Sequence, residues 1–179
     1  MDKYQNKYRI PSARATWWNY GWAGAYFITI CTKGRKHYFG HIENKKMTLS
    51  HCGLLADVFW HEIKNHTTNI ELGAFVVMPN HIHGILILNG DNNLVIDNDS
   101  AIDPQSESQK RFRNPGKNTA SSIIGGYKSA VTKHANRLGL EFGWQTRFHD
   151  HIIRNDAEYQ RINDYIENNP KNWNDDKFY

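Results

Sequence analysis

The sequence predicts an α+β fold of ferredoxin-like (RRM-like) type: βαββαβ order, one antiparallel sheet with its helices on one face, an inserted hairpin and a C-terminal helix. Three observations predict it. Short runs rich in Val, Ile, Phe and Tyr alternate with stretches whose apolar residues recur at helical spacing. The 179-residue chain, 39% hydrophobic and 13% aromatic, is long enough to bury a real core. No internal repeat and no coiled-coil heptad competes with this reading.

Each element has its own local reason. "GAYFITICT" (24–32) is β-branched and aromatic, hence a strand. "KHYFGHIENKKMTLS" (36–50) alternates around an Asn-containing turn and reads as the inserted hairpin. "HCGLLADVFWHEIKN" (51–65) places Leu54, Leu55, Val58, Phe59 and Ile63 at helical spacing. "IELGAFVVM" (70–78) and "HIHGILILN" (81–89) form a second hairpin that turns at Pro79 and Asn80. A helix follows over 118–139, capped by Asn118 or Thr119 and stopped by Gly139. "TRFHDHIIR" (146–154) alternates as a strand, and 155–170 is a last helix, capped by Asn155 or Asp156 and ended before Pro170. In a split βαβ topology the first and third core strands lie centrally, so the strand beginning at His81 is expected mid-sheet.

Composition narrows the function classes. No run approaches eighteen apolar residues, which argues against a membrane span, and the N-terminal stretch lacks the apolar centre of a signal peptide. Cys31 and Cys52, without CxxC spacing, read as reduced thiols of a cytoplasmic protein. The net charge of +4 conceals a segregation of charge. Residues 89–109 carry Asp91, Asp97, Asp99, Asp103 and Glu107 with no Lys or Arg, and 90–117 is predicted to be a mobile loop. Residues 110–137 carry Lys110, Arg111, Arg113, Lys117, Lys128, Lys133 and Arg137 with no acid. Residues 1–22 form a basic arm with Lys3, Lys7, Arg9 and Arg14, interleaved with aromatics that include Trp17; residues 23–179 form one domain. Uninterrupted positive charge beside aromatic rings suits a nucleic acid better than an ordinary solvated face.

"MPNHIHGILIL" (78–88) sets two histidines on the mouth of an apolar strand. On a strand His81 and His83 share one face with Ile85 and Ile87, about 7 Å apart at the backbone, close enough for one metal ion. A solvated strand end is the alternative. The helix over 118–139 carries an apolar stripe of Ile124, Tyr127, Val131, His134 and Leu138, with Gly125 and Gly126 beside Tyr127. A tyrosine near a metal is a chemically sound nucleophile for a phosphodiester. A core aromatic is the other reading of Tyr127, and Tyr159 and Tyr165 on the last helix read as core. His149 and His151 share a face of their strand; with Gln145 they suit either support of a site or a satisfied hydrogen-bond network.

Four segments together carry a resemblance: "AGAYFITICTKGRKHYFGHI", "FVVMPNHIHGILIL", "SSIIGGYKSAVTKHANRLG" and "WQTRFHDHIIRNDAEYQRINDYIENNP". In this order and spacing the chain resembles the REP-associated tyrosine transposases. These belong to the HUH class of single-strand DNA endonucleases, similar to the smallest insertion-sequence transposases. The resemblance implies a metal-dependent transposase and nickase with Mg²⁺ or Mn²⁺ as cofactor. It implies cleavage of single-stranded DNA beside a hairpin through a 5′-phosphotyrosine. It matches His81 and His83 to the metal ligands and Tyr127 to the nucleophile. Relatives complete the metal site with a Gln or Asn one helical turn after the tyrosine; counted from Tyr127 that place holds Val131, leaving His134 and His151 as further candidates. Arg14, Trp17, Lys110, Arg111, Arg113, Lys128 and Lys133 are the expected DNA contacts, and a homodimer is left open. The competing reading is an RRM-like binder of single-stranded nucleic acid that does not cut.

Deleting residues 2–18 should weaken single-strand binding and flatten its salt dependence. The log–log slope should become shallower by about 0.7 for each phosphate that the arm neutralises. An unchanged slope in a salt titration would show that the arm neutralises none.

Overall fold

Strand β1 (Gly24–Cys31) leads, through a short 3₁₀ turn, to the hairpin β2 (Gly40–Glu43) and β3 (Lys46–Leu49) and then to helix α1 (His51–His66). Strands β4 (Ile70–Met78) and β5 (His81–Leu88) follow, then α2 (Ala120–Arg137), β6 (His149–Ile153), α3 (Asp156–Asn168) and a 3₁₀ segment over Asn169–Asp175. This computed structural model describes residues 23–89 and 118–175; the predicted arm (1–22) and the predicted loop (90–117) lie outside them.

The four long-range strands form one antiparallel sheet in the order β4-β5-β1-β6, so the expected ferredoxin-like arrangement is present. β5 is central, bonded to β1 on one side and β4 on the other. Its alternate residues serve two cores. Ile82 and Leu86 pack with Trp60 of α1 and Ile124, Tyr127 and Val131 of α2. Ile85 packs on the opposite face with Ile162 and Ile166 of α3. The first two helices therefore cover one face, and the terminal helix covers the other.

Local chemistry explains the boundaries. The Ser50 hydroxyl accepts the Gly53 N–H at the start of α1, Thr119 accepts from Ser122 at α2, and Asn155 accepts from Glu158 at α3. Gly139 ends α2 with φ of 68°, a conformation costly for other residues. The hairpin turn places Asn44 and Lys45 at φ of 50° and 61°, the positive-φ pair of a tight two-residue connection. The strand predicted over 146–154 starts only at His149. Gln145 donates its N–H to the Cys31 carbonyl, and the Lys128 ammonium draws the Gln145 and Thr146 carbonyls toward α2, at 2.7 and 3.1 Å. Those carbonyls are turned away from the sheet.

Two kinds of glycine separate cleanly. A Cβ on Gly84 would stand 2.3 Å from the Trp60 ring, so the indole needs a bare backbone there. A Cβ on Gly125 or Gly126 would meet nothing within 4 Å, so close approach does not explain that pair. Gly84→Ala should destabilise the domain by about 1–3 kcal/mol through overpacking. Gly126→Ala should stabilise it by about 1 kcal/mol through helix propensity. Thermal melts of the two variants check both signs.

Candidate active site

Central placement in the sheet buries the histidine pair. His81 is 0% and His83 1% exposed, and their ring centroids lie 4.5 Å apart. Each ring has an oxygen partner at Nδ1: Asn80 Oδ1 at 2.8 Å for His81 and Thr29 Oγ1 at 2.8 Å for His83. A carbonyl oxygen only accepts, so this contact favours a proton on His81 Nδ1, which would leave the lone pair on Nε2. Phe27 lies beside His83, and Trp173 lies over His81 at 6.0 Å with the rings inclined by 30°. Apolar rings around two imidazoles keep bulk water from competing for them.

Among the described residues, the tyrosine that reaches this pair is Tyr165. Its hydroxyl is 3.2 Å from His83 Nε2, its ring stands edge-on to Phe27, and the residue is 40% exposed. It is therefore not the core residue that helical spacing predicts, and Tyr159, packed with Ile85 and Ile162, is. Tyr127, the expected nucleophile, lies on the far face of the sheet. It is buried against Trp60 and donates its hydroxyl to the Ala56 carbonyl at 3.0 Å. Burial, with a smaller effect from Asp57, pushes its phenol well above the usual range. Both effects oppose a phenolate. The structure does not bring this residue to the histidines: the central sheet stands between them.

The other predicted site residues divide. His134 lies on α2, its ring 4.7 Å from Phe59, also on the far face. His149 stands across from Thr29 and shares the histidine face. His151 is on that face too, engaged with Glu158 at 2.8 Å. The Glu158 carboxyl is held below the usual range by the Arg154 N–H and then by His151, which ties the start of α3 to β6. Gln145 lies at the sheet end with its backbone bonded to Cys31 and Lys128. Lys128 is consumed by those carbonyls, and burial lowers its ammonium; Lys133 is exposed beside a groove of about 370 Å³ shared with Trp144 and Thr132. Arg14, Trp17, Lys110, Arg111 and Arg113 lie outside the described residues.

Among the described residues no third His, Cys, Asp or Glu joins the pair in a metal-sized group. The donor set nevertheless fits a divalent cation in part: two neutral imidazoles, with a shell to be completed by oxygen. Sequence reasoning missed Tyr165, Thr29 and Asn80. A signal for Tyr165 was present, because the residue four places on is Asn169, buried at 2% exposure, where Val131 follows Tyr127.

No protein-family model matches the chain. An uncharacterized protein of Haemophilus influenzae is 35% identical over 173 residues, covering 94% of this chain and 92% of that protein. Among solved structures, a REP-associated tyrosine transposase bound to a REP hairpin superposes with a TM-score of 0.55 at 22% identity, covering 97% of this chain and 74% of that one. That likeness establishes the fold. No helix among the described residues is long and apolar enough to cross a membrane.

The placement of Tyr127 has a pH signature. Below about pH 10 its phenol is neutral in folded and unfolded chains alike, so it gives no slope there. Above that, the unfolded chain ionises while the folded one keeps its proton, so stability falls as pH rises. Denaturant titrations between pH 8 and 11 should show that alkaline loss in the wild type and a shallower one in Tyr127→Phe.

Proposed function

The chain belongs to the same family as that Haemophilus influenzae protein, and for this member we propose a metal-dependent nickase and strand transferase acting on single-stranded DNA beside hairpins. The observation that carries this reading is the 3.2 Å approach of the Tyr165 hydroxyl to His83 Nε2, on the sheet face that also holds His81. A nucleophile, two metal-competent imidazoles and an apolar surround converge there. The fold it shares with a transposase bound to a REP hairpin supports a hairpin-bearing strand as the substrate.

In the proposed reaction the Tyr165 oxygen attacks phosphorus and the P–O3′ bond breaks. The 5′-phosphate is then joined to Tyr165, and the 3′ oxygen leaves as a hydroxyl. The phenol gives up one proton and the departing oxygen takes one, so the step is proton-neutral. It exchanges one phosphoester for another, so the bond energy is kept for rejoining. His81 and His83 would hold the cation through Nε2. Asn169 stands where the resemblance puts a third ligand, one turn after the tyrosine. When bound, Mn²⁺ or Mg²⁺ supplies Lewis-acid polarisation of the phosphate oxygens. Phe27 restrains the Tyr165 ring, and the Asn155 cap with the Glu158 tie sets the helix that carries it.

Incubation with labelled hairpin oligonucleotides and Mn²⁺, followed by denaturing gels, tests the assignment. Tyr165→Phe should form no covalent protein–DNA adduct while still shifting the oligonucleotide in native gels. Tyr127→Phe should form the adduct. Loss in Tyr127→Phe with retention in Tyr165→Phe would return the role to the far face. Binding without an adduct in any protein, wild type included, would favour the non-cutting RRM-like reading.

A further inference from the structure

We infer that Asn80 is a positioning residue that sets the protonation of His81 and so makes its Nε2 the metal-binding atom; the inference builds on the metal reading above. The two imidazoles are not held alike. His83 Nδ1 faces a threonine hydroxyl, which can either donate or accept. His81 Nδ1 faces the Asn80 carbonyl oxygen, which can only accept. Of the two, only Asn80 dictates which nitrogen carries the proton.

The surroundings of Asn80 are built to hold that oxygen still. The side chain is 2% exposed, and it sits in the two-residue turn between β4 and β5. Its own carbonyl accepts from the Thr32 N–H at 2.9 Å. The preceding carbonyl, of Pro79, accepts from the Phe39 N–H at 3.1 Å. The turn is thus fastened to the segment after β1 by two backbone hydrogen bonds, which fix the backbone from which the Asn80 side chain projects. With the proton held on Nδ1, the lone pair is left on Nε2 of a ring whose centroid lies 4.5 Å from that of His83. A buried donor–acceptor pair of this kind orients a ligand ring and raises its basicity.

Long-range ¹H–¹⁵N correlation spectra of the metal-free full-length protein read the His81 tautomer directly. The expected result is a protonated Nδ1 and a bare Nε2. Mn²⁺ titration should show Asn80→Ala weakened by about 10–100-fold, the range seen when such outer partners are removed. Asn80→Asp, which offers only acceptor oxygens, should keep the tautomer and bind Mn²⁺ at least as tightly as the wild type. A wild-type His81 protonated on Nε2 would overturn the inference, as would weakened Mn²⁺ binding by Asn80→Asp. If Asn80→Ala fails to fold, the wild-type tautomer and Asn80→Asp decide. His81→Ala separates the two levels: wild-type Mn²⁺ affinity there would overturn the metal reading and this inference with it. Loss in His81→Ala with none in Asn80→Ala would overturn this inference alone.

Discussion

The two-residue period of β5 governs this molecule. It is a central strand buried on both sides, so each of its residues must belong to one of two separate interiors. Ile82, Gly84 and Leu86 belong to the interior under α1 and α2, where the missing Cβ of Gly84 admits the Trp60 ring. His81, His83 and Ile85 belong to the other interior, under α3 and the terminal 3₁₀ segment. Any group that meets the histidines must come from that second layer. Tyr165 and Trp173 do; Tyr127 and His134, for all their suitable chemistry, do not.

The sheet and its order were legible because strands, caps and turns are local events. Asn44–Lys45, Pro79–Asn80, Gly139 and Asn155 are all punctuation that the chain spells out in place. The histidine pair was legible for the same reason: its spacing and its strand are one local fact. The partner tyrosine was not. Tyr127 and Tyr165 both sit in amphipathic helices, and helical spacing tells which side of a helix is buried without telling which layer it is buried in. That choice is made by tertiary packing. The C-terminal helix crosses to the uncovered face of the sheet, and a phenol on its flank then meets an imidazole from a strand more than eighty residues earlier. The clue within reach was an asparagine one turn beyond Tyr165, the spacing that the resemblance implies.

Charge was legible as composition and less so as surface. Of the cations counted toward a polyanion footprint on α2, Lys128 spends its donors on the Gln145 and Thr146 carbonyls and works as an internal brace. It holds the segment whose Trp144 packs near Phe39 and Tyr127. A lysine's long stem lets it serve the interior while counting as a surface charge in the sequence. Glu158 shows the complementary case: an acid on the first turn of α3 fastens that helix to β6 through the Arg154 N–H and His151, favoured also by the positive end of the helix dipole.

The fastening of the Pro79–Asn80 turn reaches into how this domain can vary. Surface hairpins commonly tolerate insertions and deletions, because only the loop is disturbed. Here the turn is two residues long, its carbonyls are engaged by Phe39 and Thr32, and the strand that leaves it alternates between two interiors. One residue inserted or removed at that point, with the turn kept at two residues, slides β5 by one against β4 and exchanges the two faces of β5. The imidazoles would then enter the layer of Trp60, and isoleucines would line the face of Tyr165. An indel absorbed in this way fails by parity: an odd slip of β5 dismantles the site while leaving every one of its residues in the chain.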